Sequence, residues 1–178
     1  LKSWEQSPKE SFRLEPEQLE NVMPFLEKAL AEGMDNAMWY EATTDAVLGL
    51  TGGDVDEANK VLALMAVTSA NTAVKGNLMY GIKAYYQYKN GERVLSGQFP
   101  NMNEEKLTKI MNGELTVDEI ANNLGPKVGS FFKNLSNSLN NADPDAVTID
   151  IWMMRAFGFD KDTPTDLEYR ETREVIQK

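Results

Sequence analysis

Apolar residues recur along the chain at intervals of three and four, and no alternating β-branched run is long enough to make a strand. The pattern predicts an all-α fold. A first helix is expected from about Pro16 to Ala31, kinked or restarted at Pro24 and ended by Gly33, behind an irregular arm of residues 1–15. Asp35 is placed to cap a second helix carrying Met38, Trp39, Ala42 and Ala46, which Gly52-Gly53 stops, and Asp54 caps a third. The end of that third helix, Val61 to Val67, is apolar on all sides, as in a helix at the centre of a bundle. Beyond the break Thr68-Ser69-Ala70-Asn71, the longest helix is expected from Thr72 to about Lys89. It carries Tyr80, Ile82, Tyr85, Tyr86 and Tyr88, and Asn90-Gly91 closes it.

Residues 91–102 read as a loop containing Gly and Pro, after which Asn103 is expected to cap a short helix to Met111. Thr116 and Glu119 have the spacing of a capping box and open a helix that ends near Asn123. Gly125 then breaks the chain, Pro126 suits the first position of a new helix, and Phe131, Phe132 and Leu135 lie on its apolar side. Residues 116–139 therefore read as helix, tight turn, helix. A polar loop leads to a short apolar helix at Asp150 that ends at Gly158, and Thr165 with Glu168 caps a charged C-terminal helix. With no repeat and no long linker, one domain over residues 1–178 is expected.

Composition narrows the chemistry. The chain has no Cys and no His, which excludes thiol nucleophiles, iron–sulfur ligation, His/Cys zinc sites and every imidazole mechanism. Carboxylates, Lys, Tyr, Ser and Thr remain. Glu15, Glu17, Glu20 and Glu27 lack a convergent metal motif, and no Walker, EF-hand or dinucleotide glycine pattern occurs, so neither metal nor cofactor is expected. No apolar run approaches the ~20 residues of a membrane span and the first residues carry no signal-like stretch, so a soluble cytoplasmic protein without a membrane partner is expected. The formal net charge of -10 argues against general nucleic-acid binding, but it is unevenly spread. Residues 1–60 carry 5 basic and 13 acidic side chains, residues 61–135 carry 8 and 6, and residues 136–178 carry 5 and 9. Only the middle third is suited to face a polyanion.

That third holds the hairpin. A Gly turn between two helices points backbone N–H groups outward at the start of the second, an anion site that needs no side-chain charge. Lys127 stands at this start, where the helix dipole disfavours another positive charge and favours an amine nucleophile; the plainer alternative is a solvated first-turn lysine. Asp150 is equally suited to acid–base work and to capping the helix that follows it. Asn71 reads first as a helix cap, and Trp39, Tyr40 and Trp152 first as core aromatics.

The segment LGPKVGSFFKNL followed by AVTIDIW resembles the helix-hairpin-helix DNA glycosylase superfamily, most closely its 8-oxoguanine glycosylase and endonuclease III branches. The chain is also similar to a group of uncharacterised phage and actinobacterial proteins with WY-x-x-A, SP-x-T-x-x-x-x-N and GPK-x-x-x-F-x-x-N patterns, matched at residues 39–42, 69–77 and 125–134. Three positions depart from the glycosylase pattern. Asn123 replaces the first hairpin glycine, 23 residues separate Lys127 from Asp150, and Trp152 stands where a His is common.

The resemblance implies two helical lobes with a cleft between them, a DNA-binding surface of Asn123, Gly125, Gly129, Ser69, Asn71 and Lys75, and a base pocket of Trp39, Tyr40 and Trp152. It implies DNA repair by a monomeric bifunctional glycosylase and AP lyase acting on damaged or abasic double-stranded DNA. A base would be flipped out of the duplex, Lys127 would form a Schiff base at the sugar C1′, and Asp150 would stabilise the cationic transition state. Two alternatives stand beside it: a non-catalytic hairpin module that binds DNA or a protein, and an acidic interaction protein whose negative face imitates DNA.

Overall fold

The computed structural model describes residues 38–72, 74–140, 148 and 165–176, with the side chains of Met38, Val74, Lys75 and Asp166 excepted. The chain divides into two compact units, one of residues 31–148 and one that combines residues 1–30 with 149–178. The first unit contains α1 (Met38–Leu50), α2 (Val55–Val67), α3 (Val74–Lys89), α4 (Pro100–Met111), α5 (Val117–Asn123) and α6 (Pro126–Asn140); the second contains α7 (Asp166–Ile176). The described residues contain no strand, and the all-α expectation holds for them. The arm 1–15, the helix expected from Pro16, the Asp35 cap and the helix at Asp150 lie outside the described residues.

Local chemistry sets most helix ends. The Asp54 carboxylate accepts the Glu57 N–H at 3.0 Å and opens α2. Thr116 accepts the Glu119 N–H at 3.2 Å, while the Glu119 carboxylate takes the Thr116 N–H at 2.8 Å, so the capping box forms as expected. Thr165 and Glu168 repeat it at α7. After α3, Gly91 N–H donates to the Tyr88 carbonyl at 3.0 Å and Glu92 N–H to Gln87 at 2.8 Å, the paired bonds of a Schellman turn. The same pairing follows α1 through Gly52 and Gly53, and α4 through Gly113 and Glu114.

Two boundaries differ from the sequence reading. α4 starts at Pro100 with Phe99 at its N-cap, so Asn103 sits within the first turn and donates instead to the Ser96 carbonyl at 3.3 Å. Proline's fixed φ and missing N–H make it the better helix opener. α3 starts at Val74 rather than Thr72, because the chain first turns through Asn71 at φ 54°. Asn71 is therefore not an N-cap, a position that requires extended backbone.

α2 is the axis of the first unit. Ala58 and Val61 through Ala66 have no exposed surface, and α1, α3, α4 and α6 all pack on this helix. Phe132 and Leu135 of α6, Leu107 and Ile110 of α4, and Ile120 of α5 complete the core. Each such side chain contributes roughly 1.5–3 kcal/mol by burial. A Cβ on Gly81 of α3 would lie 2.3 Å from Met65 Cγ and 3.3 Å from Met65 N, so α2 and α3 approach closely there. At the far end, Asn59 and Asn140 exchange amide hydrogen bonds of 2.9 and 2.8 Å and fasten the end of α6 to α2.

Candidate functional site

The hairpin is built by three residues acting in sequence. Gly125 adopts φ 90°, a left-handed conformation that costs other L-residues about 1–2 kcal/mol, with open space around a would-be Cβ. Pro126 then occupies the first position of α6. One turn on, Gly129 is buried so close to α5 that a Cβ would lie 2.1 Å from the Ala121 carbonyl oxygen. Gly129 N–H donates to the Gly125 carbonyl at 2.9 Å, which engages it within the helix and gives the residue a packing role. Of the first-turn positions, Lys127 and Val128 are left to offer N–H groups to an anion.

The surroundings suit an anion. From Ile120 to Ala142 the chain has Lys127 and Lys133 and no carboxylate. Lys127 is half-buried in the first turn of α6, Asn123 is exposed on α5, and Lys133 donates to the Asn122 side chain at 3.3 Å. Asn122 in turn donates to the Asp118 carbonyl at 2.8 Å, closing the side of the hairpin.

Lys127, Phe131, Asn134 and Ser138 are spaced to share one face of α6. On that face Trp39 stacks nearly parallel to Phe131, with centroids 6.2 Å apart and planes 6° apart, and Tyr40 meets both rings edge-on. Trp39 and Tyr40 are half-buried and pack on the core, so they are partly structural. Beside them lies an open pocket of about 310 Å³, lined by Tyr40, Glu41, Asn134, Asn137 and Ser138 among others. Asn134 also donates to the Thr148 hydroxyl at 3.1 Å, which ties residue 148 to α6 two turns beyond Lys127. This contact escaped the sequence reading. No spacing in the sequence signals it, because the two residues lie on either side of the expected polar loop.

The other expected contacts belong to different elements. Ser69 is half-buried and donates to the Ala66 carbonyl at 2.8 Å, finishing α2, while Asn71 is exposed in the following turn. Lys75 is in the first turn of α3. Asp150 and Trp152 lie outside the described residues. Among the described residues no three His, Cys, Asp or Glu side chains converge as metal ligands, and no helix is long and apolar enough to cross a membrane.

The model of a family of unknown function, DUF7178, matches residues 8–174. No curated protein and no solved structure matches the chain.

Proposed function

We propose, from the premise that the chain belongs to the DUF7178 family of unknown function, that the α5–α6 hairpin grips the backbone of double-stranded DNA and that Lys127 is a Schiff-base nucleophile. On this reading the protein is a bifunctional DNA glycosylase and AP lyase of base-excision repair, a cytoplasmic monomer with two helical lobes. The observation that supports it is the turn itself: Gly125 at φ 90° and Pro126 at the first position of α6 leave the Lys127 and Val128 N–H groups open beside the Lys127 side chain.

The chemistry needs both groups. Neutral Lys127 Nζ attacks C1′ of a flipped nucleotide, and the glycosidic bond breaks with its electron pair leaving on the base, which takes a proton. Asp150 stabilises the cationic sugar, and loss of the amine proton and ring opening give the iminium. Removal of a C2′ proton then expels the 3′ phosphate by β-elimination. Trp39, Tyr40 and Trp152 supply the surface on which the flipped base stacks, a role that aromatic faces fill for any base. Backbone N–H groups at the start of α6 hold a phosphate.

Borohydride trapping tests the reading on duplexes bearing an abasic site, 8-oxoguanine, uracil or thymine glycol. A covalent adduct is expected on at least one of them and is expected to vanish in Lys127→Gln, with Asp150→Asn slowing its formation by about 100-fold or more. An adduct that survives Lys127→Gln, or none on any duplex, overturns Lys127 as nucleophile. DNA binding retained without any adduct identifies a non-catalytic hairpin. The net charge of -10 favours a second reading, an acidic protein that occupies the DNA site of another protein. No DNA binding at low salt, where phosphate-driven affinity is greatest, selects that one.

A further inference from the structure

The longest carboxylate-free stretch of the chain lies outside the hairpin. From Ala58 to Gly91 there are Lys60, Lys75, Lys83 and Lys89 and no Asp or Glu, in a protein with 28 acidic residues. α3 fills half of that stretch and packs on α2 by its inner side. Its outer face carries Met79, 61% exposed, then Lys83, then Tyr86, 49% exposed, at spacings of four and three. They form one stripe about 10 Å long.

Single exposed apolar side chains need no explanation, but this stripe has two features that isolated ones lack. First, the Tyr86 ring is braced. Tyr85, buried beneath, meets it edge-on at 5.5 Å, and Tyr85 is held by Lys89, whose ammonium lies 5.5 Å from the ring centroid and pairs with Glu57 at 2.7 Å. With its neighbour on one edge, the Tyr86 ring keeps an open face on which another ring can stack. Second, the pairing with Glu57 engages Lys89, whereas Lys83 has no ion-pair partner among the described residues. The stripe therefore combines an open aromatic face, a thioether and an uncommitted cation.

We propose that this outer face of α3 is a docking surface for single-stranded nucleic acid, with bases stacked on Tyr86 and laid against Met79 while Lys83 meets the phosphates. Stacking on an aromatic ring beside a cation is sequence-tolerant recognition of unpaired bases. An acidic peptide would engage Lys83 but leave the Tyr86 face without a planar partner. Duplex DNA would offer phosphates but keep its bases paired and out of reach of the ring. The surface is independent of the hairpin reading and stands whether or not Lys127 is reactive.

The test is fluorescence anisotropy of the full chain with a labelled oligothymidine of about 15 nucleotides at low salt. Tyr86→Ala is expected to weaken binding by about tenfold, and Tyr86→Phe to retain it. Lys83→Ala is expected to weaken it several-fold and to lower the salt slope by about 0.7. Both side chains are exposed, so far-UV circular dichroism and Tm should stay unchanged in each variant. No binding, binding indifferent to Tyr86→Ala, or equal Tyr86 dependence with duplex DNA or polyglutamate as the probe overturns the proposal. Borohydride adducts on abasic duplex should be the same in Tyr86→Ala and wild type, so a failure here and a failure at Lys127 remain distinguishable.

Discussion

Gly129 and Gly81 hold two helix contacts at backbone distance, and their replacement has different consequences. A methyl group on Gly129 meets the Ala121 carbonyl oxygen, which is backbone and unable to swing away, whereas on Gly81 the nearest atom belongs to the Met65 side chain. Gly129→Ala should therefore destabilise by about 1–3 kcal/mol or more and open the hairpin, and Gly81→Ala by less if Met65 repacks. Chemical denaturation of the two variants checks the order. If Gly129→Ala is the milder of the two, the α5–α6 contact is looser than its geometry. The Asn59–Asn140 amide pair gives a second measurement. Asn59→Ala leaves a partly buried amide without its partner and should cost about 1–3 kcal/mol, and the double variant with Asn140→Ala should cost much less than the sum. An additive result would mean that the pair contributes nothing as a pair.

At the scale of helices, ends rather than interiors carried the readable information. Asp54 before α2, the Thr116 and Thr165 capping boxes and the glycine stops after α1 and α3 were all legible, because capping involves residues within about one turn of each other. Asn103 misled because a side chain competent to cap lay three residues past a proline competent to start, and the proline decided it. The α5 box also predicts a pH response. The Thr116 N–H, then the Thr116 hydroxyl, hold the Glu119 carboxyl below its ordinary value, so its contribution is complete above about pH 4.5 and is lost as pH falls through the lowered pKa. Tm followed from pH 7 downward should therefore fall less in Glu119→Gln than in wild type, and the two should converge in acid. Parallel curves would remove the carboxylate from the account. The Arg93 guanidinium likewise lowers Glu104, gripping it at 2.8 and 2.6 Å, but both groups are solvated and this pair should matter little.

For the molecule as a whole, charge is divided rather than uniform. Residues 1–60 hold 13 of the 28 acidic side chains, while 58–91 and 120–142 hold none, so both proposed nucleic-acid surfaces fall in the carboxylate-free stretches. The remaining acidity opposes a polyanion through electrostatics that salt screens over about 8 Å at physiological strength, with Glu41 and Glu57 the carboxylates nearest the two surfaces. Replacing Glu15, Glu17 and Glu20 with Gln should raise DNA affinity several-fold at about 20 mM salt and have little effect at about 300 mM. An equal gain at both salts would point to direct contact instead. The sequence by itself determined the helical class, the position of the hairpin turn and most helix ends, since these depend on period, glycine, proline and caps that interact within a few residues. Tertiary structure alone decided that Gly129 meets Ala121, that Trp39 stacks on Phe131 and that Asn134 reaches Thr148. Those partners come from different helices or from across a loop. No local pattern encodes them, because they are selected by how separate apolar faces close around α2.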